Sequence, residues 1–477
     1  MEGKRYTPTI GLEIHAELKT ATKMFCDSRN DTHDVTPNSN TCPVCLAHPG
    51  TLPVINREAV KHVLRVGIAV HGTLADYTEF DRKNYFYPDL PKGYQISQYE
   101  YPLVSGGVLA GVALTRIHLE EDTASSTHDA TGATQVDFNR AGVPLMELVT
   151  EPVIHDADTA VRFGHELQLL LRYLGASDAD MEKGHMRLEA NISLSDSDTL
   201  GTKVEVKNIN SFRAMERAIL FEIKRQEKLL SSGESVVQET RGWDDAKQST
   251  FSQRIKEGAA DYRYFPDPDL PSLRLSEVPE FSRDTLAASL PELPEQRRKR
   301  HEALGVKAAD AVQFTSYPHL GDFLDQVTSG ERSASFIAKA SNYLANDLAS
   351  HLRDTDARDT ENKVKIPISV AHFAELMDLL EDGSLTSRAA KDLLPQVMRA
   401  HRSPKEMAEE LGLLSSTAVD VPAVVRSVIE KHGQVVADYK AGKIAALQFL
   451  LGQCMKETKG AVNPDVIKQE LLSQMSA

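Results

Sequence analysis

The sequence predicts an α+β fold: a large, mainly antiparallel sheet domain over residues 1–293, an all-helical domain over 294–407 and a small helical tail domain over 408–477. Three observations predict it. From Thr9 to about Phe281 apolar residues recur with a period of two between turn-rich connections, the spacing of short strands with one buried face. The segment Val278 to Pro294 is rich in Pro and Glu, with Pro291 and Pro294 placed to open a helix after a linker. Beyond Pro294 the period becomes helical and stays so to the C-terminus.

Composition sets the outer limits. A chain of 477 residues makes about three domains of ~150 residues. With 41% hydrophobic and 26% charged residues, and no apolar run of the ~20 residues that a spanning helix needs, a membrane protein is excluded. The net charge of −15 excludes coating of nucleic acid by bulk positive charge, so any polyanion must meet local basic patches. The N-terminal MEGKRYTPTIGLEIH carries no apolar leader core, which predicts a cytoplasmic protein. Only four cysteines occur, and in a reducing compartment they point to metal or packing rather than disulfides.

Along the chain, Thr9 to Leu18 alternates cleanly. Ile10, Leu12, Ile14, Ala16 and Leu18 point one way; Gly11, Glu13, His15 and Glu17 point the other. Cys26 then precedes Cys42-Pro-Val-Cys45, half of a zinc knuckle whose fourth ligand would be Ser28, Asp31 or His33; the three thiols are equally placed to be packing residues. The run FDRKNYFYPDLPKGYQISQ interleaves Arg82, Lys83 and Lys92 with Tyr85, Phe86, Tyr87 and Tyr94, offering cations for phosphate and rings for a base, or else core aromatics of a structured loop. In RIHLEED, Arg116, His118 and Glu120 share a face, with Glu121 and Asp122 at the strand end, and VPLMELVTEP adds Glu147 and Glu151.

Carboxylates around one or two imidazoles form a donor set that suits a hard divalent cation such as Mg²⁺, and they equally make a solvated, salt-bridged sheet face. Spacing leaves both open. A helix capped by Asp156 or Asp158 puts Phe163, Leu167, Leu170 and Leu174 on one face and stops at Gly175. A second, Ser211 to Leu230, follows the strand GTKVEVKNI, and DYRYFPDPDLP places Arg263 between two tyrosines. In the tail, IAALQFLLGQCM aligns Leu447, Leu450 or Leu451, and Cys454; Lys405 to Ala477 carries eight basic and nine acidic residues, so this part repels a phosphate backbone least. No phosphate-binding GxxxxGK[ST] loop, GxGxxG turn, kinase HRD/DFG pair or GxSxG elbow occurs, so any use of ATP needs an unfamiliar carboxylate and metal arrangement.

The strings IGLEIHAELKT, NTCPVCLAHPGTLPVIN, FDRKNYFYPDLPKGYQISQ, IHLEED, VDFNRAGVPLMELVTEP, GTKVEVKNINSF, ETRGWD and DYRYFPDPDLP, in this order, closely resemble the B subunit of the aspartyl/glutamyl-tRNA(Asn/Gln) amidotransferases. GKIAALQFLLGQCMKETKGAVNP resembles that family's tail, so the likeness covers nearly the whole chain. The resemblance implies a "cradle" sheet domain with a kinase and transamidase site, a helical domain and a tail that contacts tRNA. It implies a heterotrimer in which the partners are an amidase, the A subunit, and a small C subunit. ATP and Mg²⁺ would activate the side-chain carboxylate of Glu-tRNA(Gln) or Asp-tRNA(Asn) as an acyl phosphate, and ammonia from the amidase would form the amide.

Carried over by motif, the metal ligands are Glu13, His15 and Glu147 with Glu120 or Glu121, and these are the catalytic candidates; period two favours Glu120. Lys83, Tyr85 and Tyr87 are candidates for the nucleotide or the tRNA 3′ end, and Arg140 for phosphate. Lys440, Lys443, Lys456 and Lys459 are the tail's phosphate contacts, or a solvated helical face. Cys26, Cys42 and Cys45 are the Zn²⁺ candidates, although Ser28 stands where many members carry a further Cys, and MEKGHMRLEANISL is looser than usual at His185 and Glu189. No nucleophile for glutamine hydrolysis appears, so a partner must supply the ammonia. The competing readings are a non-catalytic tRNA-binding scaffold and a small-molecule amide ligase.

Overall fold

The computed structural model describes residues 5–32, 35–128, 132–255, 262–353, 366–414, 420–458, 462 and 464–476. The chain divides into two compact units, Met1–Pro294 and Glu295–Ala477.

The alternation in Thr7–Glu17 becomes an eleven-residue strand whose Ile10, Leu12, Ile14 and Ala16 are buried. This strand sits in the middle of a ten-stranded sheet. On one side it pairs antiparallel with Met186–Ser195, and beyond that lie Val204–Ile209, Glu239–Asp244 and Ser249–Ile255. On the other it pairs with Pro144–Thr150, then Val112–Glu121, Val104–Ser105 and Thr73–Leu74. Every pairing is antiparallel except that of Val204–Ile209 with Glu239–Asp244.

Helices pack with the apolar sheet face into one core. Arg57–Ala69, Ala157–Tyr173 and Phe212–Ser231 begin at Asn56, Asp156 and Ser211, whose side chains accept hydrogen bonds from first-turn amides. Phe163, Leu167, Leu170 and Leu174 are all buried in that core, and Gly175, at φ +63°, takes the left-handed turn after the helix that a side chain would strain. Since one sheet face is spent on this core, the charged face lies opposite it and is available for chemistry.

Among the described residues of the second unit the regular elements are helices, with one isolated bridge between Leu385 and Leu414, and there are two apolar clusters. One draws on Val306 to Ala408, the other on Val425 to Met475. Leu447, Leu450 and Cys454 lie in the second, while Leu451 is only partly buried. No described helix is long and apolar enough to cross a membrane.

Candidate active site

Strand register places the acidic cluster. His15 pairs with Glu147, and Glu147 pairs with His118, so three side chains form a row across three neighbouring strands. Glu120, two residues beyond His118, points to the same face. The Nε2 of His15 lies 3.4 Å from Glu147 Oε2, 3.5 Å from Glu120 Oε1 and 4.0 Å from Glu13 Oε1. His118 Nε2 reaches the same Glu147 oxygen at 3.4 Å, and Arg116 Nη2 reaches the other at 3.5 Å. The Ser97 hydroxyl donates to Glu120 at 3.1 Å.

Crowded charge shapes the titration. Burial, with Glu147 and Glu189 beside it, pushes the Glu13 carboxyl up to about 7. Burial opposes charge on His15, but the hydrogen bond and charge of Glu147, with Glu120 and Glu13, hold its pKa up to about 9. Glu147 is buried too, yet the His118 and His15 imidazoles hold it well below the usual carboxylate range. Burial likewise opposes charge on Lys83, which the nearby Glu120, Tyr264 and Glu147 outweigh, raising it.

One ligand atom from each of Glu13, His15 and Glu147 lies within 4.8 Å of the other two, as do those of His118, Glu120 and Glu147. Ligands at ~2.1 Å from Mg²⁺ stand up to ~4.2 Å apart, so small side-chain movements suffice and the donor set fits. The imidazolium of His15 fills the place of a cation until it gives up its proton.

The predicted residues do not all meet here. Glu13, His15, Glu120 and Glu147 converge, whereas Glu121 points to the other side of its strand. Its carboxylate accepts from the Ile96 amide at 2.9 Å and pairs with Lys92 at 2.5 Å. Lys83 lines the cavity of the cluster, about 320 Å³, with Tyr99, Tyr262 and Tyr264 rather than with Tyr85 or Tyr87. The Tyr85 ring lies 5.9 Å from that of Tyr262, and Tyr87 is 56% exposed. Tyr99 and Tyr264 stack at 4.4 Å. Arg140 is tied to the Thr123 and Ala124 carbonyls, both at 2.9 Å, and does not line that cavity.

Cys26, Cys42 and Cys45 gather on a different cavity, of about 220 Å³, which Glu121 and Lys92 also line. Cys45 Sγ accepts from the Cys42 amide at 3.1 Å and has Lys23 Nζ at 3.7 Å and Ser28 Oγ at 3.8 Å. The Cys26 hydrogen bond, with the Cys42 amide and the Lys23 charge, holds the Cys45 thiol down to about 4 against the effect of burial. All four cysteines are free. His33 and Lys459 lie outside the described residues. Lys440, Lys443 and Lys456 are exposed on the tail helices and their connection, with Lys443 paired to Asp438 at 3.1 Å.

Further charged residues join the cluster without having been singled out as site residues. Glu189 pairs with Glu13 in register, and with Glu205 it forms another acidic trio around Glu13. Lys207 Nζ holds Glu189 at 2.9 Å. The signal was the same period of two: Arg187, Glu189 and Asn191 in one string, Lys203, Glu205 and Lys207 in another.

The family model for the GatB/GatE catalytic domain matches residues 8–279, and that for the GatB domain matches residues 322–475. The B subunit of the aspartyl/glutamyl-tRNA(Asn/Gln) amidotransferase of Thermus thermophilus is 43% identical, over 98% of this chain and 99% of its own. That of Caldanaerobacter subterraneus is 41% identical, over 99% of this chain and 100% of its own. The B subunit of the chloroplastic/mitochondrial glutamyl-tRNA(Gln) amidotransferase of Physcomitrium patens is 39% identical, over 99% of this chain and 86% of its own. The chain belongs to the B-subunit family of the aspartyl/glutamyl-tRNA(Asn/Gln) amidotransferases.

Proposed function

We propose that this chain uses ATP to phosphorylate the side-chain carboxylate of Glu-tRNA(Gln) or Asp-tRNA(Asn) and then amidates it with ammonia. A partner amidase, the A subunit, releases that ammonia from glutamine, and a small C subunit completes the heterotrimer. A carboxylate is a poor electrophile. Its attack on the γ-phosphorus expels ADP and leaves an acyl phosphate; ammonia then displaces inorganic phosphate at the acyl carbon, giving the amide. The observation that carries the reading is the convergence of Glu13, His15, Glu120 and Glu147 beside a cavity that Glu13, Glu147, Lys83 and Arg116 line.

Glu13, His15, Glu120 and Glu147 would hold Mg²⁺, which supplies neutralisation of charge on phosphate oxygens. Lys83 and Arg116 bind phosphate as fixed cations beside that set, and the Tyr99, Tyr262 and Tyr264 rings exclude water and offer faces to a base. We assign Cys26, Cys42 and Cys45 to zinc, with the Ser28 hydroxyl 3.8 Å from Cys45 Sγ. The cradle site, the 294–407 helical domain and the 408–477 tail are proposed as separate parts, the tail meeting the tRNA body through Lys440, Lys443 and Lys456. Free thiols suit the reducing cytoplasm, which we propose as the compartment.

The test is transamidation by the assembled enzyme carrying Glu13→Ala and His15→Ala. ATP-dependent amidation is expected to vanish while tRNA affinity is kept. Full activity in the double variant would leave the chain a scaffold, with the chemistry in its partners. Turnover of free glutamate without tRNA would favour a small-molecule ligase instead.

A further inference from the structure

The cavity that holds the acidic cluster has cations on it which the reading above leaves unused. Lys203, Glu205 and Lys207 occupy alternate positions of GTKVEVK, and the pleat brings all three to this cavity. Their situations differ. Lys207 Nζ is engaged by Glu189 at 2.9 Å and Glu205 at 3.8 Å, and Glu205 is itself fixed by the Thr240 hydroxyl at 2.7 Å. Lys203, which immediately precedes the strand Val204–Ile209, is exposed and makes no hydrogen bond or ion pair among the described residues.

Charge on the lining narrows the ligand. Lys83, Arg116, Lys203 and Lys207 stand on the lining with Glu13, Glu147 and Glu205, and Glu120 and Glu189 adjoin it; Arg116 and Lys207 are engaged by Glu147 and Glu189, whereas Lys203 has no carboxylate partner among the described residues. A divalent cation on the Glu13 and Glu147 side adds two more positive charges. The ligand that balances such a cavity is a polyanion, and an ammonium group serves phosphate as a point charge that needs no planar partner. Lys83 comes from the strand Asp81–Asn84 and Lys203 from the residue leading into Val204–Ile209, a strand on the far side of Met186–Ser195 from Thr7–Glu17, so the two reach the same cavity from distant parts of the fold.

We propose that Lys203 is a binding residue for the nucleotide's phosphate chain, gripping it from the Val204–Ile209 strand while Lys83 holds it from the Asp81–Asn84 strand, with the terminal phosphate directed to the acidic cluster. The inference rests on the reading that this cavity consumes ATP. It adds that affinity resides in the phosphates rather than the base, and that the strand which carries Glu205 also carries the grip.

The experiment is calorimetric titration of the assembled full-length enzyme with ATP, tripolyphosphate or adenosine in the presence of Mg²⁺, for the wild type, Lys203→Glu and Lys203→Arg. Lys203→Glu is expected to weaken ATP and tripolyphosphate by at least about tenfold and to raise the KM for ATP in parallel, with adenosine and the melting temperature unchanged. Lys203→Arg keeps the charge and is expected to stay within about threefold of the wild type. If the wild type binds ATP and Lys203→Glu binds it equally well, the inference is overturned and the ATP reading stands. If the wild type binds neither ATP nor tripolyphosphate, the reading itself fails and takes the inference with it.

Discussion

His15 and Glu147 are register partners on adjacent antiparallel strands, and their side chains meet at 3.4 Å on the sheet face turned away from the core. Register makes this contact independent of loop conformation. A slip of either strand by one residue would carry its own charged group into the apolar core and part the pair, so the sheet that stabilises the domain also fixes the site.

Glu120 and Glu121 are adjacent in sequence and opposite in role. Glu120→Gln is expected to lower ATP-dependent amidation by about 100-fold, as loss of a group at a metal site does. Glu121→Gln leaves Lys92 without its 2.5 Å partner and is expected to lower stability by ~1–3 kcal/mol while keeping amidation within about threefold. Steady-state kinetics and thermal melting of the two variants separate these effects.

The metal-free protein is expected to lose stability as pH rises from about 5 to 9. Glu13, Glu17 and His15 have folded pKa values raised to about 7, 8 and 9, so the native state binds protons more tightly than the unfolded chain. The contribution of such groups is complete below their unfolded values and is lost as pH passes the folded ones. Mg²⁺ replaces the protons of Glu13 and His15, so its stabilising effect grows across the same range. Melting temperatures measured with chelator and with Mg²⁺ at each pH check both signs.

The thiol cluster is expected to yield about one zinc per chain on metal analysis of protein purified without chelator. Ser28→Cys would place a further sulfur near Cys45 and is expected to tighten zinc by about tenfold or more, whereas Cys45→Ser should release it. Equal zinc content in all three proteins would remove the metal assignment.

Reversal of charge at Lys440, Lys443 and Lys456 is expected to weaken tRNA binding and to reduce the salt dependence of log K by somewhat under one unit for each phosphate no longer neutralised. ATP-dependent steps measured with saturating tRNA should be unaffected. Filter binding across a salt series gives the slope.

Much of this was legible because period two acts locally. The burial of Ile10, Leu12, Ile14 and Ala16 and the opposite display of Glu13, His15 and Glu17 follow from one strand alone. Local sequence narrows the cap of the Ala157–Tyr173 helix to Asp156 or Asp158, and the Thr159 amide selects Asp156. Sheet order is nonlocal. Glu189 and Lys207 reach Glu13 only because Met186–Ser195 pairs beside Thr7–Glu17, which no string announces. The family motif makes Arg140 a phosphate candidate, yet its guanidinium is occupied by two backbone carbonyls, a use that the motif does not reveal. The choice between Glu120 and Glu121 needed the pleat carried to the strand's end.

Divalent-metal binding by the acidic cluster is the most direct test. Electron paramagnetic resonance of Mn²⁺ added to the zinc-loaded full-length enzyme should show a tight site that Mg²⁺ displaces, whose affinity falls at least about tenfold in Glu147→Gln and in His15→Ala. Retention of that site with unchanged affinity in both variants would contradict the account.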